Sequence, residues 1–316
     1  MKNTLLTAVG SASAASVLQS LRALGHRVIG CDIYPQAWNV VSTEVDAFFQ
    51  AVLATDEEAY VNQLMDAVER EHIDYLIPLT DLEVDVLCRC KANFASLGCT
   101  VCTPNEPAAA LCRDKLKMAA ALAETGVCRT IPTRSPYGWE PEQNDLPLML
   151  KPRSGRSSQG QVIARTLESF HSALQSRADY IAQPYLEGGV FTVDVARDLY
   201  GSTQCLVRQE LLRTVNGLGT TVRILPGHAL EKVCAAIAAQ AGIVGVVNME
   251  FISHGDDFYF LEVNPRFSGG VGFSIRAGVD FARLEIQIHE GEFIGPRPDV
   301  SEMTITRRTE TVITEK

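Results

Sequence analysis

The sequence predicts a chain of mixed architecture, α/β through its first third and α+β beyond. Three observations carry that expectation. Strand-like and helix-like runs alternate through the first hundred residues, which implies a parallel sheet with helices on its faces. After Pro104 and Pro107 the composition shifts to an Ala-rich helix. From Asp194 onward apolar runs are separated by short turns, as in antiparallel strands.

In chain order, residues 5–9, 27–31, 75–79 and 100–103 read as strands, and 14–24, 57–71 and 83–94 as helices. The opening MKNTLLTAVGSAS has a Lys before an apolar run, like a signal peptide, but it turns at once into a strand-Gly-helix pattern and is read as a strand. The turn Gly10-Ser11-Ala12-Ser13-Ala14-Ala15, with Asp32 after the second strand, mimics a dinucleotide-binding fingerprint. That makes an NAD(P)-dependent oxidoreductase the rival function, but Ala12 and Ala15 stand where glycines belong, so the match is degenerate. Asp81 and Glu83 follow the strand ending Pro78-Leu79-Thr80; they either face a substrate or cap a helix.

Composition bounds the rest. The 316 residues are 46% hydrophobic, enough for two or three subdomains with a sizeable core, and no run is long and apolar enough for a membrane span. A formal charge of −10 argues against a nucleic-acid binder. Nine cysteines without secretory features point to free thiols and a cytoplasmic location. Cys88, Cys90, Cys99 and Cys102 lie close together, so a zinc-stabilised interaction module is a second rival, set against buried small hydrophobes.

The Ala-rich helix spans 108–124, with the domain boundary at the prolines, and a connector over 132–145 follows. A strand over 148–151 then delivers Lys151 to the loop Pro152-Arg153-Ser154-Gly155-Arg156-Ser157-Ser158-Gln159-Gly160, whose N–H groups can turn toward phosphate oxygens. The loop is expected to be a mobile lid over 154–160. Between 194 and 224, Arg208 and Arg213 ride on antiparallel strands, and a helix over 228–241 packs behind. Residues 244–252 and 258–263 form a hairpin around a three-residue turn, Gly255-Asp256-Asp257. Glu250 then lies opposite Glu262, with Met249 facing Val263 and Phe251 facing Leu261 on the other side. Two opposed carboxylates repel, so a cation belongs between them. With Asn264 on the same face, the oxygen set suits a hard cation such as Mg²⁺, and Arg266 can grip phosphate. A glycine-rich segment over 268–272, a helix over 280–289 and a strand over 303–313 end the chain.

Glu250, Glu262-x-Asn264 and Arg266 resemble, in order and spacing, the metal-binding end of the ATP-grasp fold, and the likeness runs through nearly the whole chain. It is nearest to single-copy ATP-grasp proteins of the carbamoyl-phosphate-synthase-large-subunit type. The resemblance implies a Rossmann-like N-terminal (pre-ATP-grasp) domain over 1–107 followed by a two-lobed ATP-grasp domain, its lid and central part at 108–186 and its catalytic part at 187–316. It implies Lys115, from Arg113-Asp114-Lys115, on the α-phosphate, and Lys151 with Ser154, Gly155 and Gly160 over the β- and γ-phosphates. The adenine hinge falls on Gln183, Tyr185, Leu186 and Glu187. Gln183 replaces the usual Glu there, and Val190 stands where an acid commonly binds the ribose, a role Glu187 can take. Arg208, Arg213 and Arg266 belong beside the transferred phosphate and the substrate carboxylate. The implied activity is an ADP-forming ligase using ATP and Mg²⁺, or Mn²⁺, that activates a carboxylate as an acyl phosphate and passes it to an amine. Its partners are small molecules, and a homodimer is a possible assembly. A non-catalytic ATP-binding sensor is the remaining rival.

Overall fold

The structure, a computed structural model, describes residues 1–155, 159–175, 177 and 179–315. The first segment runs β1 (Asn3–Leu6), α1 (Ala14–Ala23), β2 (Arg27–Asp32), α2 (Val40–Glu44), β3 (Ala47–Gln50), α3 (Glu57–Glu71), β4 (Tyr75–Ile77), α4 (Asp81–Leu87), α5 (Lys91–Ser96) and β5 (Thr100–Val101). Its strands form a parallel sheet in the order β3-β2-β1-β4-β5. Alternation sends side chains to two faces: Leu5, Ile29 and Leu76 pack with Tyr60, Leu64 and Phe94, while Leu6, Val28 and Ile77 pack with Val17 and Leu21. The second of these cores also holds Phe273 and Phe281 from far along the chain, so this sheet shares its interior with the C-terminal half.

The expected helix over 83–94 is two helices, broken at residues 88–90. Strand β3 had no counterpart in the sequence reading; its Phe48 and Phe49 are only half buried.

Next come α6 (Glu106–Arg113), α7 (Lys115–Thr125), β6 (Arg129–Thr130), β7 (Leu148–Pro152), β8 (Val162–Ala164), α8 (Leu167–Leu174) and β9 (Tyr180–Pro184). The single helix expected over 108–124 is interrupted at Asp114, which adopts extended angles and caps α7 by accepting from Lys117 N at 3.0 Å. Strands β8-β7-β9 form a small antiparallel sheet. Of the glycine-rich loop after β7, Arg156, Ser157 and Ser158 lie outside the described residues.

The last part comprises β10 (Val190–Arg197), β11 (Thr203–Arg213), β12 (Gly219–Ile224), α9 (Leu230–Gln240), β13 (Gly245–His254), β14 (Asp257–Asn264), α10 (Val271–Arg276), α11 (Phe281–His289) and β15 (Met303–Thr306). A seven-stranded sheet, β15-β12-β11-β10-β13-β14-β6, is antiparallel except where β6 joins β14. Helices α6, α7 and α9 bury Ala108, Cys112, Met118, Leu122 and Ile237 against this sheet. Residues 108–130, expected with the lid and central part, therefore pack with the large sheet, and the strands of the small sheet all come from 148–184. The closing strand stops at Thr306 rather than 313, and the glycine-rich segment after the hairpin carries the short helix α10.

Candidate active site

The hairpin β13–β14 has the expected register at its base, with Glu250 paired to Glu262 and Met249 to Val263. Above Glu250 the register shifts by one, so Phe251 faces Phe260 rather than Leu261, and His254 faces Asp257 across a two-residue turn, Gly255-Asp256. The expected three-residue turn is thus a two-residue turn plus a bulge. The bulge turns Leu261 onto the same cleft as Glu262, and Ile252 lines it from β13. Across the sheet, Thr192 sits between Glu250 and Arg208, and Asp194 beside Asn248, which in turn pairs with Asn264. Same-parity residues share a face, so these side chains form one polar field.

That field floors a cleft of about 720 Å³. Its other walls are the hinge over 183–188, the tip of the β11–β12 hairpin, the loop over 266–270 and, from the first sheet, the turns at 11–13 and 79–81. Ile131, Met149, Val190, Ile252 and Leu261 make an apolar slot beside Gln183. Gln183 donates from Nε2 to Thr133 Oγ1 at 2.7 Å, leaving its amide oxygen as the acceptor. Tyr185 N is taken by Pro147 O at 3.0 Å. Gly188 lies so close to β13 that a Cβ there would sit 1.5 Å from the Ser253 carbonyl, while Glu187 is exposed.

The break at Asp114 makes Lys115 the first residue of α7 and turns it inward. Its Nζ lies 3.1 Å from Glu262 Oε2 and donates to Gly155 O at 3.2 Å. Lys151, Lys115, Gly155 and Glu262 meet around a small void that Gln159 and Gln161 also line. Lys151 is 5% exposed. Burial pulls its pKa down to about 8 against the opposing attraction of Glu262. For Glu262, burial acts upward but Lys115 and Lys151 outweigh it and hold the carboxyl at about 2. Glu250 is pushed the other way, by burial and by Glu262, with Arg213 in partial opposition at 3.3 Å. Asn264 donates from Nδ2 to Asn248 Oδ1 at 3.2 Å and to Glu262 Oε1 at 3.3 Å. Its amide oxygen is thereby left for a cation, so Glu250, Glu262 and Asn264 fit Mg²⁺ or Mn²⁺ by donor type.

The expected basic residues stand in three different situations. Arg266 donates to Asp81 Oδ2 at 2.6 Å and to Phe267 O at 2.9 Å. Arg213 reaches Gly217 O at 2.9 Å besides Glu250. Arg208 is fully enclosed, donating to Asp194 at 2.5 Å, Glu210 at 3.1 Å and Ser268 at 2.9 Å, so its guanidinium is already committed. Asp81 lines the cleft; Glu83 does not, because its carboxylate caps Thr80 N at 3.1 Å and accepts from Tyr60 OH at 2.9 Å. Residues to which the sequence reading gave no role in the site are Thr192, Asn248, Gln159 and Gln161 among the polar ones and Ile131, Met149 and Leu261 in the slot. The strand alternation that marked Glu250 also carries Asn248 and could have found it.

The rival sites read differently. Asp32 accepts from Gly10 N at 2.7 Å, and a Cβ at Gly10 would meet the Asn39 side chain at 2.7 Å, so the first turn is covered and its acid engaged. Cys88, Cys99 and Cys102 are buried, Cys90 partly so, and among the described residues no three or more His, Cys, Asp or Glu side chains are grouped to hold a metal. Burial pushes the Cys99 thiol up to about 12. No helix among the described residues is long and apolar enough to cross a membrane.

Two family models match the chain: "ATP-grasp in the biosynthetic pathway with Ter operon" over residues 176–312 and "PylC-like, N-terminal domain" over 5–102. Among curated proteins, the carbamoyl phosphate synthase large chain of Thermus thermophilus is 29% identical over 165 residues, 46% of this chain and 16% of that one. The large chain of Helicobacter pylori is 40% identical over 60 residues, 19% of this chain and 6% of that one. The match thus spans only a small part of these relatives. Among solved structures, a biotin carboxylase complex from Campylobacter jejuni superposes with a TM-score of 0.75 at 18% identity, covering 92% of this chain and 72% of that one. An L-amino acid ligase from Bacillus licheniformis gives 0.72 at 17% identity, covering 92% and 74%.

Proposed function

This chain belongs to the ATP-grasp superfamily, and from that premise we propose that it is an ADP-forming ligase that activates a small-molecule carboxylate with ATP and joins it to an amine. The observation that carries this reading is the opposed pair Glu250 and Glu262, with Lys115 3.1 Å from Glu262, Lys151 buried beside them, Arg213 3.3 Å from Glu250 and Arg266 lining the same cleft. Adenine occupies the apolar slot, with the Gln183 amide oxygen toward its amino group and Leu186 and Glu187 beside it. Lys115 and Lys151, with the loop of Ser154, Gly155 and Gly160, hold the phosphates. Glu250, Glu262 and Asn264 would hold Mg²⁺, which would supply positive charge against the terminal phosphates. Arg266, steadied by Asp81, orients the substrate carboxylate in line with the γ-phosphorus. Its oxygen forms the new P–O bond as the bond to the ADP oxygen breaks. The amine then attacks the acyl carbon, and phosphate leaves with the carboxylate oxygen. Arg208 acts here as an anchor for the floor of the site.

In this reading residues 1–107 wall the substrate end, 108–186 bring the phosphate lysines and lid, and 187–316 carry the metal residues. The work is cytoplasmic, and a homodimer is the assembly that light scattering would test. The deciding experiment is an ADP-release screen over carboxylates, amino acids first, with and without amine acceptors. Mg²⁺-dependent ADP release with a particular carboxylate is expected; the absence of both Mg-ATP binding and release would overturn the reading.

A further inference from the structure

Which purine the apolar slot accepts depends on which end of one amide faces it. Gln183, on β9, is 4% exposed and lines the cleft with Ile131 and Met149. The two ends of a glutamine amide have nearly the same shape, so hydrogen bonding decides whether the oxygen, an acceptor, or the nitrogen, a donor, is offered. Here the deciding partner comes from the connector that precedes the small sheet. Arg134 pairs with Ala182 along the edge of β9, with Arg134 N donating to Ala182 O at 3.1 Å and Ala182 N to Arg134 O at 2.8 Å. That pairing brings Thr133 against Gln183, 50 positions away in sequence, with Oγ1 and Nε2 2.7 Å apart. Thr133 has a single hydroxyl proton, and it goes to the Ile131 carbonyl at 2.8 Å, a group that can only accept. Toward Gln183 the hydroxyl is therefore an acceptor, which the amide nitrogen satisfies. Turning the amide over would set two oxygens face to face, and the one proton could then serve Ile131 or Gln183 but not both. One hydrogen bond is lost in that state.

We propose that Thr133 is a positioning residue that sets the purine specificity of the slot by fixing the orientation of the Gln183 amide. With its nitrogen held by Thr133, Gln183 offers the slot an oxygen, which accepts from the 6-amino group of adenine. A 6-oxo purine, inosine or guanine, brings an oxygen to the same place and leaves two acceptors opposed with no donor between them. A glutamate at this position needs no such control, because both of its oxygens accept. A glutamine does, because one of its two orientations favours the wrong base. Thr133 acts through Gln183 rather than on the nucleotide. This inference rests on the reading above, in that the slot holds the base of ATP.

The test is the ratio of Kd for magnesium inosine triphosphate to Kd for Mg-ATP, read by isothermal titration, because these purines differ only at ring position 6 and the nitrogen beside it. Other contacts that separate the two bases are common to every variant and cancel in the change of the ratio. Thr133→Val keeps the shape of the side chain and removes the hydroxyl, so either end of the amide can face the slot. The ratio is expected to fall about 5-fold, the worth of one neutral hydrogen bond. Thr133→Ser keeps the hydroxyl and should keep the wild-type ratio. In a Gln183→Glu background the Thr133→Val change should leave the ratio where it was, because a carboxylate has no donor end. A ratio that does not move in Thr133→Val, or that moves equally in both backgrounds, would overturn the proposal. Thr133→Ala carries the same test if Thr133→Val does not fold. ADP release separates this inference from the ligase reading. A ratio that falls as expected without ADP release for any carboxylate would sink the ligase reading and keep the role of Thr133. Turnover with an unmoved ratio would do the reverse, and binding of neither nucleotide would overturn both.

Discussion

Replacing Lys151 with Met should push stability and function in opposite directions. In the ligand-free protein the ammonium is buried beneath the loop, and its pKa falls from 10.5 to about 8 despite Glu262. A difference of that size corresponds to roughly 3 kcal/mol of cost for keeping the lysine charged at pH 7. The sign follows from proton binding. The folded state holds this proton less tightly than the unfolded chain, so the cost is present in full below pH 8 and vanishes as pH approaches 10.5. Methionine matches the stem without the charge, so Lys151→Met should raise the melting temperature at pH 7 by roughly 4–5 °C, taking an unfolding entropy of about 2.1 cal/mol/K per residue. The advantage over wild type should shrink between pH 8 and 10.5. Mg-ATP affinity should meanwhile fall about 10- to 150-fold, the worth of a hydrogen bond to a charged group. Differential scanning fluorimetry across pH and isothermal titration measure the two halves. A variant less stable than wild type at pH 7 without nucleotide, or one that binds Mg-ATP as well as wild type, would refute the reasoning.

Glu250→Gln and Glu262→Gln should both abolish most Mg²⁺-dependent turnover, yet differ in metal-free stability. Burial and the facing Glu262 push the Glu250 carboxyl up, so its replacement should be neutral or stabilising. Glu262, at about 2, contributes stability that is present above pH 4.5 and lost as pH falls toward 2, so Glu262→Gln should cost roughly 3 kcal/mol in a urea titration at pH 7. Equal effects on stability would mean that the lysines do not favour Glu262. Gly188→Ala must move either the hinge or β13, since its Cβ would fall 1.5 Å from a backbone oxygen; it should cost 1–3 kcal/mol or so, as overpacking does, and weaken Mg-ATP binding, and unchanged calorimetric affinity would argue against the hinge assignment. Isothermal titration should detect Mg-ATP and no NADH, because Asp32 is engaged by Gly10 N and Asn39 covers the turn; micromolar NADH affinity would reverse that.

The features legible before folding are those that depend on local periodicity. Alternation along β13 and β14 places Glu250, Glu262 and Asn264 on one face whatever the surroundings, because successive side chains of a strand point to opposite sides. Lys151 at a strand end followed by glycine and serine is readable for the same reason, as are the parallel alternation of the first hundred residues and helix α3, whose bounds agree with the expected 57–71. The bulge that brings Leu261 beside Glu262 was not readable, since the three-residue turn and the two-residue turn plus bulge use the same residues and differ only in which packs better. Asp114 looked like one more residue of an Ala-rich helix, but its side chain is held by Arg153 Nε at 2.8 Å, and the break this stabilises aims Lys115 at Glu262. The resemblance put Arg208 beside the transferred phosphate, and only the folded chain shows its guanidinium enclosed by Asp194, Glu210 and Ser268. The Asp81–Arg266 pair spans 185 positions of sequence. Covalent geometry repeats every two or three to four residues and leaves its mark in any short window. Pairings between separate sheets depend instead on desolvation and on which surfaces meet, and those quantities exist only once the chain has closed on itself.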